Sequence, residues 1–411
     1  MPTDPRSPQR LRRVLNLPLL TLYGLGTTIG AGIYALAGEI AGIAGYGAPL
    51  SFLLAALVAG FTACSFAELS ARFPQAAGAA LYVQQGFGRR DLARIVGLLV
   101  TAAGVVSAAA LVNAFAGYLA SYLPAPRFAV IGVTALGLAG IAAWGIAQSV
   151  AVAALITLVE VGGLLVIVGL GVGELASLPS RWREFLPGAD SHIDAAALLL
   201  GVTLAFYAFI GFEDMVDVAE EIKDVRRTLP RAILATLAIT TVLYLLLMVT
   251  ALLAMPPAAL AATTAPLAAV YEVHTGRPGV LIGVVAMIAI INGALVQMVM
   301  ASRVLYGLAQ RGQMPGWLGR VHPTTRTPLL ATAAVGTVVL VLAAYGHLAG
   351  LARTTSLLVL VVFTLANLAL WRLKSHSRPP DGAFECPRAL PLIGCALCVA
   401  LVLHELVSLI V

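Results

Sequence analysis

Glu160 is a carboxylate in the middle of a strongly apolar stretch, ITLVEVGG at 156–163. On membrane-insertion scales an ionised carboxylate there costs at least about 2.5–3.5 kcal/mol, so the protonated form is favoured. A carboxyl that takes up a proton on one side and releases it on the other can couple proton movement to another process. Its expected polar neighbours are Thr27, Thr28 and Asn292. A hydrogen-bonded structural carboxyl is the alternative, and both interpretations are open.

Two other segments contain the residue types that let a protein bind a ligand through its backbone. The segment GLGTTIGAGIY at 24–34 has four glycines within nine positions, and FYAFIGFED at 206–214 has a glycine followed by two carboxylates. Glycine lets the backbone leave a helix and approach a ligand closely. Gly26 and Gly30 also form a G-x-x-x-G pattern, which alone favours close helix packing. The second, similar segment makes ligand binding the stronger interpretation.

The elements that carry these segments are long apolar runs. The 411 residues are 60% hydrophobic and 11% charged, with a mean hydropathy of +0.96, whereas about 25% charged residues is typical of soluble domains. These values exclude a soluble globular protein and predict an all-α integral membrane protein in contact with lipid. Eleven runs of sufficient length, numbered here as spans 1 to 11, lie at 17–43, 48–71, 95–123, 128–146, 150–173, 195–219, 231–254, 279–310, 329–346, 350–371 and 389–411.

The distribution of the basic residues indicates how the chain is oriented in the membrane. With the N-terminus inside, 20 of the 25 Lys and Arg residues fall in inner segments and 5 in outer loops. The positive-inside rule therefore predicts a cytoplasmic N-terminus and an outside C-terminus. This distribution explains the basic pI, and no nucleic-acid partner is expected. At the inner end of span 2, Glu68 precedes Arg72 by four residues, a spacing that predicts an ion pair.

The two interrupted spans, 1 and 6, are five spans apart. Because five is odd, a duplicated five-helix unit would lie in opposite orientations, which is the inverted repeat of many secondary transporters. The predicted halves are 17–173 and 195–373, which together form a transporter core at 17–373. Residues 1–16 are predicted to be a cytoplasmic tail, and 374–411 a cytoplasmic loop followed by the eleventh helix. In such folds the interrupted helices mark the binding site.

Four motifs in order resemble the amino acid, polyamine and organocation permeases, the APC superfamily. They are IGAGIY (29–34), AELSARFP (67–74) with Gly78 and Tyr82, FIGFE (209–213) with AEEIKD (219–224) and LPRAI (229–233), and SRVLY (302–306) with Met314-Pro315 and RVHP (320–323). The resemblance implies the APC-type fold. Members of that superfamily often have twelve helices, and this sequence predicts eleven.

The chemistry of the two interrupted segments and the resemblance to the superfamily both predict that the substrate binds at these segments. The half-helix after the first interruption exposes N–H groups and a positive end, which suits a substrate carboxylate. The residues assigned to it are Ile29, Gly30, Ala31 and Gly32. Carbonyls near Phe209, Ile210 and Gly211 are expected to accept hydrogen bonds from the α-ammonium group. Aromatic walls, one of them a lid, are expected from Phe206, Tyr207, Phe209 and Phe212. Glu213 is assigned to the site with a structural or gating role favoured over contact with a substrate side chain.

The predicted function is secondary active transport of amino acids by alternating access, as proton-coupled symport or exchange. A polyamine or amine antiporter of the same fold and a membrane-embedded substrate sensor without net flux are the alternatives. An enzyme is not expected, because the sequence has no H-E-x-x-H, G-x-S-x-G or P-loop motif. No catalytic residue, metal or cofactor is predicted, and the oligomeric state is open. The preference for arginine over lysine and the abundance of alanine favour a bacterial source, so a bacterial plasma membrane is the expected location.

Overall fold

The computed structural model describes residues 13–30, 32–75, 78–144, 150–187 and 193–408. Within these ranges the secondary structure is helical apart from one isolated bridge. The helices of the first half are α1 Leu17–Ile29, α2 Gly32–Ala44, α3 Ala48–Arg72, α4 Gly78–Phe87, α5 Arg90–Ala120, α6 Arg127–Trp144, α7 Val150–Leu170 and α8 Leu178–Arg181. Those of the second half are α9 Ala195–Tyr207, α10 Val225–Ala254, α11 Pro257–Ala261, α12 Pro266–Thr275, α13 Val280–Gln310, α14 Leu329–Tyr345, α15 Leu348–His376 and α16 Ala389–Ser408.

Many of these helices are suited to lipid. In the described ranges, nine helical segments are long and apolar enough to cross a membrane, and two apolar helices, Leu17–Ile29 and Leu329–Tyr345, are shorter. One of the nine segments, Gly32–Arg72, contains parts of two predicted spans, so helix length does not fix the number of crossings. The all-α membrane fold is confirmed, and the number eleven stays a prediction.

Both predicted interruptions are present. Span 1 is divided into α1, which is capped by the Asn16 side chain, and α2. Span 6 is divided into α9, capped by Asp194, and a 3₁₀ helix at Phe212–Glu221. Each predicted repeat half therefore begins with an interrupted span. The relation between the halves stays a prediction.

The described end of the predicted N-terminal tail packs against the protein. Leu15 is buried and forms a parallel bridge with Ile222. The N–H groups of Val14 and Leu15 donate to the Glu221 carbonyl at 2.9 and 3.0 Å, and the Lys223 N–H donates to the Leu15 carbonyl at 2.9 Å. These bonds hold the start of α1 against the end of the 3₁₀ helix, so the two interrupted spans are joined at this end of the bundle.

A buried ionic cluster forms at the end of α3. Glu68 Oε1 accepts from Arg72 Nη2 at 2.7 Å, as its spacing predicted. Glu68 Oε2 lies 2.7 Å from Lys374 Nζ and accepts from the Cys386 N–H at 2.9 Å. Lys374 Nζ also lies 3.4 Å from the exposed Glu385 carboxylate. The cluster thus joins α3, α15 and the segment before α16, which sequence spacing could not indicate.

Candidate functional site

A cavity of about 90 Å³ lies where the two interruptions meet. Its walls come from α1, α2, α5, α7, α9, α13 and the segment around the second interruption. Residues of both interruptions line it: Gly26, Thr27, Thr28, Gly30, Gly32, Tyr207, Ile210 and Asp214. The other walls include Tyr23, Ser107, Leu111, Thr157, Asn292, Gly293 and Gln297. This central cavity is therefore bounded by backbone that is not in regular helix.

The first interruption is held against the second. Thr27 Oγ1 lies 3.0 Å from the carbonyl oxygens of both Gly24 and Gly211, one in each interrupted span. A Cβ on Gly32 would come within 2.8 Å of the Ala208 Cα atom, so glycine permits the close approach of α2 to the end of α9. Ala31, which the sequence assigns to the substrate carboxylate, lies outside the described residues.

Tyr244 of α10 contacts both interruptions and does not line the cavity. Its hydroxyl lies 3.0 Å from the Ala208 carbonyl oxygen and 3.3 Å from those of Thr28 and Ile29. Buried carbonyls released from a helix need such donors, because an unpaired polar group in the membrane interior is costly. The Ile29 side chain is fully buried and does not line the cavity. The contact that Ile29 makes here is the one between its carbonyl oxygen and the Tyr244 hydroxyl.

The second interruption is capped by its own carboxylate. Glu213 Oε2 accepts a hydrogen bond from the Gly211 N–H at 2.8 Å. Gly211 has φ 126° and ψ −21°, a conformation that side-chain-bearing residues rarely adopt. The contact pairs one Glu213 carboxylate oxygen with the backbone of the interruption, and the role of Glu213 stays a prediction.

The four aromatic residues expected to form walls lie in different surroundings. Phe206 and Phe209 do not line the central cavity: the Phe206 ring packs on Phe363 at a centroid distance of 5.8 Å, and the Phe209 ring packs on Tyr244 at 5.3 Å. Phe212 is also fully buried and packs on Phe363. All three rings thus pack against other aromatic rings, as large apolar side chains favour.

Tyr207 and Ile210 are the members of this segment that line the cavity. The Tyr207 hydroxyl is 2.9 Å from Ser107 Oγ, which joins α9 to α5 across one side of the cavity.

Glu160 lies behind the central cavity and is fully buried. Asn292, which lines the cavity, is its polar side-chain neighbour. The backbone carbonyl of Glu160 accepts from the Tyr34 hydroxyl at 2.6 Å, which fixes α7 against α2. Of the other two expected neighbours, Thr27 bonds to the backbone of the interruptions, and the buried Thr28 hydroxyl has no protein partner within the described ranges. Asn292 therefore connects the buried carboxyl to the cavity.

Sequence reasoning missed several residues around the site: Ser107 and Gln297 line the cavity, and Tyr244 contacts both interruptions without lining it. Tyr244, Ser107 and Gln297 are polar residues inside apolar helices, which is a signal that could have singled them out. The same signal occurs at many threonines that only bond to their own helix, such as Thr250 and Thr364. The three-dimensional packing is needed to separate the two groups.

A bundle of apolar helices with two interrupted helices around a cavity defines a multi-pass membrane protein of the transporter class. Comparison with known proteins agrees. A family model described as amino acid permease matches residues 15–411. The chain belongs to the amino acid permease family, within the amino acid, polyamine and organocation superfamily.

Its relatives are transporters from bacteria and plants. An uncharacterized transporter of Mycobacterium tuberculosis is 34% identical, over 97% of this chain and 88% of the relative. A branched-chain amino acid permease of Bacillus subtilis is 28% identical, over 96% and 88%. The vacuolar cationic amino acid transporter 4 of Arabidopsis thaliana is 28% identical, over 91% and 65%. The protein is thus an integral membrane transporter of amino acids or related compounds.

Proposed function

We propose that the protein transports small α-amino acids and binds them in the central cavity. The N-terminal end of α2, at Gly30 and Gly32, receives the carboxylate, because unpaired N–H groups and the helix dipole favour an anion there. Carbonyls of the second interruption near Ile210, with the Thr28 hydroxyl oxygen, accept from the α-ammonium group. The observation that carries the proposal is that one cavity is lined by both interruptions.

The cavity volume supports a small substrate. A space of about 10–15 Å³ on this measure holds one water, so 90 Å³ holds roughly six to nine groups of that size. Alanine has six non-hydrogen atoms. Leu111 and Ile210 provide apolar contact for a short side chain. We therefore expect the protein to favour small neutral amino acids in this conformation.

Alternating access requires that contacts on the two sides of the site break in turn. The hydroxyl contact between Tyr207 and Ser107 joins α9 to α5 on one side of the site. On the other side, Tyr23 and Asp214 continue the cavity wall. We propose that Tyr207 is the lid expected from the sequence and that α1 and α9 rock against α5 and α13.

We infer that Glu160 couples transport to protons. A fully buried carboxyl beside Asn292 can stay neutral when the site is loaded and release its proton when the cavity opens to water. The cavity-lining Asn292 provides the connection between substrate and carboxyl. No lysine-based coupling scheme transfers to this chain, because the position is glutamate.

The test of coupling uses purified protein in liposomes. We expect Glu160→Gln to reduce the accumulation driven by an inwardly directed proton gradient at least about tenfold. The variant should keep the exchange of internal for external substrate. Glu160→Asp, which keeps a titratable group, should keep part of the gradient-driven uptake. Accumulation at the wild-type level in Glu160→Gln contradicts the coupling role. Equal loss of exchange and accumulation in both variants indicates a structural role instead.

A second candidate function rests on Asp214. This carboxylate lines the cavity, and it could attract a second positive charge, as in a cationic amino acid or a diamine. If so, Asp214→Asn should weaken binding of arginine or putrescine at least about tenfold and leave alanine unaffected. A thermal-shift screen of the purified protein against the standard amino acids and common polyamines separates the two substrate classes.

Flux distinguishes a transporter from a sensor. Uptake of the radiolabelled hit into liposomes is expected, whereas binding without uptake would favour the sensor alternative.

We also infer a cytoplasmic N-terminus and an outside C-terminus in a bacterial plasma membrane, which the 20 to 5 distribution of basic residues supports. A green fluorescent protein fused to the C-terminus should therefore remain dark after export to the outside.

A further inference from the structure

A second cavity lies beyond the central cavity along the same helices. We call this space of about 350 Å³ the outer cavity. Helix α2 contributes Gly32 to the central cavity and Glu39 to the outer one, which is about 10 Å further along the helix at 1.5 Å per residue. Helix α5 contributes Leu111 to the central cavity and Asn113 to the outer one. The two cavities are therefore consecutive compartments between α2 and α5.

A hydrogen bond marks the boundary between the compartments. The Tyr118 hydroxyl, on a residue that lines the outer cavity, donates to the Tyr34 carbonyl at 2.7 Å. Both tyrosine side chains are buried. A molecule in the outer cavity is thus separated from the central site by tyrosine contacts that join α2 to α5.

The walls of the outer cavity are mostly small and apolar, with one charge of each sign. Its charged residues are Glu39 on α2 and Arg127 at the start of α6. In the described part of the chain these two side chains form no ion pair with each other within 4.0 Å. Glu39 has no hydrogen-bond partner there, and Arg127 makes one long contact, 3.5 Å to the Gly346 carbonyl. Both charged groups therefore keep most of their hydrogen-bonding capacity.

Asn113 adds a fixed polar group to the same space. Its Nδ2 donates to the carbonyls of Ala343 at 3.1 Å and Gly346 at 3.0 Å. These bonds fix the amide plane, and in the described residues no hydrogen bond uses the amide oxygen. A donor from a ligand in the cavity can pair with that oxygen.

We propose that the outer cavity is a second amino-acid site, in which Glu39 and Asn113 receive the α-ammonium group and Arg127 receives the carboxylate. A ligand with one charge of each sign fits, because an anion alone would face Glu39 and a cation alone would face Arg127. The volume, about four times that of the central cavity, admits an amino acid with its hydration water. This inference rests on the proposed function in taking the same substrate class, and it adds a compartment that holds substrate next to the central site.

Binding of radiolabelled L-alanine to the full chain in lipid nanodiscs tests the proposal. We expect two equivalents bound to the wild-type protein and one to Glu39→Gln or Arg127→Gln, with outer-site affinity reduced at least about tenfold. The double variant Glu39→Arg/Arg127→Glu keeps both charges in exchanged places and should recover part of the second equivalent. Arg183→Gln changes an exposed arginine in the 3₁₀ helix Trp182–Phe185 and should keep both equivalents.

A variant that fills the central cavity separates the two sites. Ile210→Trp should bind one equivalent of alanine, and adding Glu39→Gln should remove that equivalent. If Ile210→Trp does not elute as a monodisperse peak, Thr28→Val is used in its place, because it removes the hydroxyl proposed to accept from the α-ammonium group. Ethylamine and propanoate, which each lack one charged group of alanine, should not displace this equivalent at the concentrations at which alanine does.

The results distinguish failure of the outer site from failure of the proposed function. One wild-type equivalent that is insensitive to Glu39→Gln and Arg127→Gln but lost in Ile210→Trp overturns the outer site and leaves the central site intact. No alanine bound to any of these proteins also overturns the outer site. The proposed function fails only when the full amino-acid screen is negative as well.

Discussion

Replacing Gly211 with alanine tests whether the second interruption depends on a backbone conformation that only glycine adopts freely. Gly211 has φ 126°, and an added Cβ would contact the Thr27 carbonyl group and come within 3.0 Å of the Thr28 nitrogen. These atoms are backbone of the first interruption, so they cannot move aside as a flexible side chain could. The substitution therefore strains one interruption and displaces the other.

The magnitude follows from two costs. Holding a non-glycine residue in such a region costs about 1–3 kcal/mol. Displacing Gly211 also lengthens the 3.0 Å bond from Thr27 Oγ1 to its carbonyl, which removes about 0.5–1.5 kcal/mol. Together these give about 1.5–4.5 kcal/mol, which is a factor of roughly ten to two thousand in an equilibrium constant. We expect this loss in stability, in substrate affinity, or divided between them.

Thermal unfolding in detergent, with and without substrate, and uptake into liposomes measure the two effects. Gly211→Ala should unfold at a lower temperature than wild type and lose at least about tenfold of its uptake. Gly162→Ala is the matched control, because Gly162 lies in helix α7 with open space around it, where alanine is neutral or stabilising by up to about 1 kcal/mol. If Gly211→Ala matches Gly162→Ala in both assays, the account of the interruption given above is refuted.

Two further substitutions test the surroundings of the site. Tyr244→Phe removes the donor shared by three backbone carbonyls of the interruptions, so substrate affinity or stability should fall by about 1–3 kcal/mol, measured by the same thermal shifts. The exposed Tyr345→Phe is its control, and equal behaviour of the two would count against a structural role for the Tyr244 hydroxyl. Glu68→Gln leaves two buried cations without their carboxylate, so it should cost about 3–5 kcal/mol and reduce the monodisperse fraction on gel filtration. Glu385→Gln removes only an exposed partner of Lys374 and should have little effect; similar yields of the two variants would contradict the ionic cluster's contribution to folding.

The first interruption was predictable because local composition determines it. Four glycines within nine positions lower helix stability at the point where α1 ends and α2 begins, whatever surrounds them. The Glu68–Arg72 pair was predictable for a similar reason, since residues four apart on a helix are neighbours. Both features depend on interactions over short distances along the chain.

The aromatic residues of the second interruption were not predictable in the same way. Phe206, Phe209 and Tyr207 are close in sequence, yet the two phenylalanines pack on Phe363 and Tyr244, and the tyrosine lines the cavity. Phe206 and Tyr207 are the last residues of α9, which is apolar all round, so hydropathy does not show which of its sides faces the cavity; Phe209 lies beyond the helix, where no period fixes the direction of a side chain. The direction is set by rings on α10 and α15, which are far away in sequence.

The sequence by itself determined that this protein lies in a membrane, where its helices are interrupted, and which family it resembles. These properties follow from hydropathy and glycine content, which act locally. Only the tertiary structure decided that both interruptions line one cavity, that Asn292 connects this cavity to Glu160, and that Glu39 and Arg127 enter the same outer space. Those relations depend on packing between helices that are distant in sequence, and no local property of the chain encodes such distances.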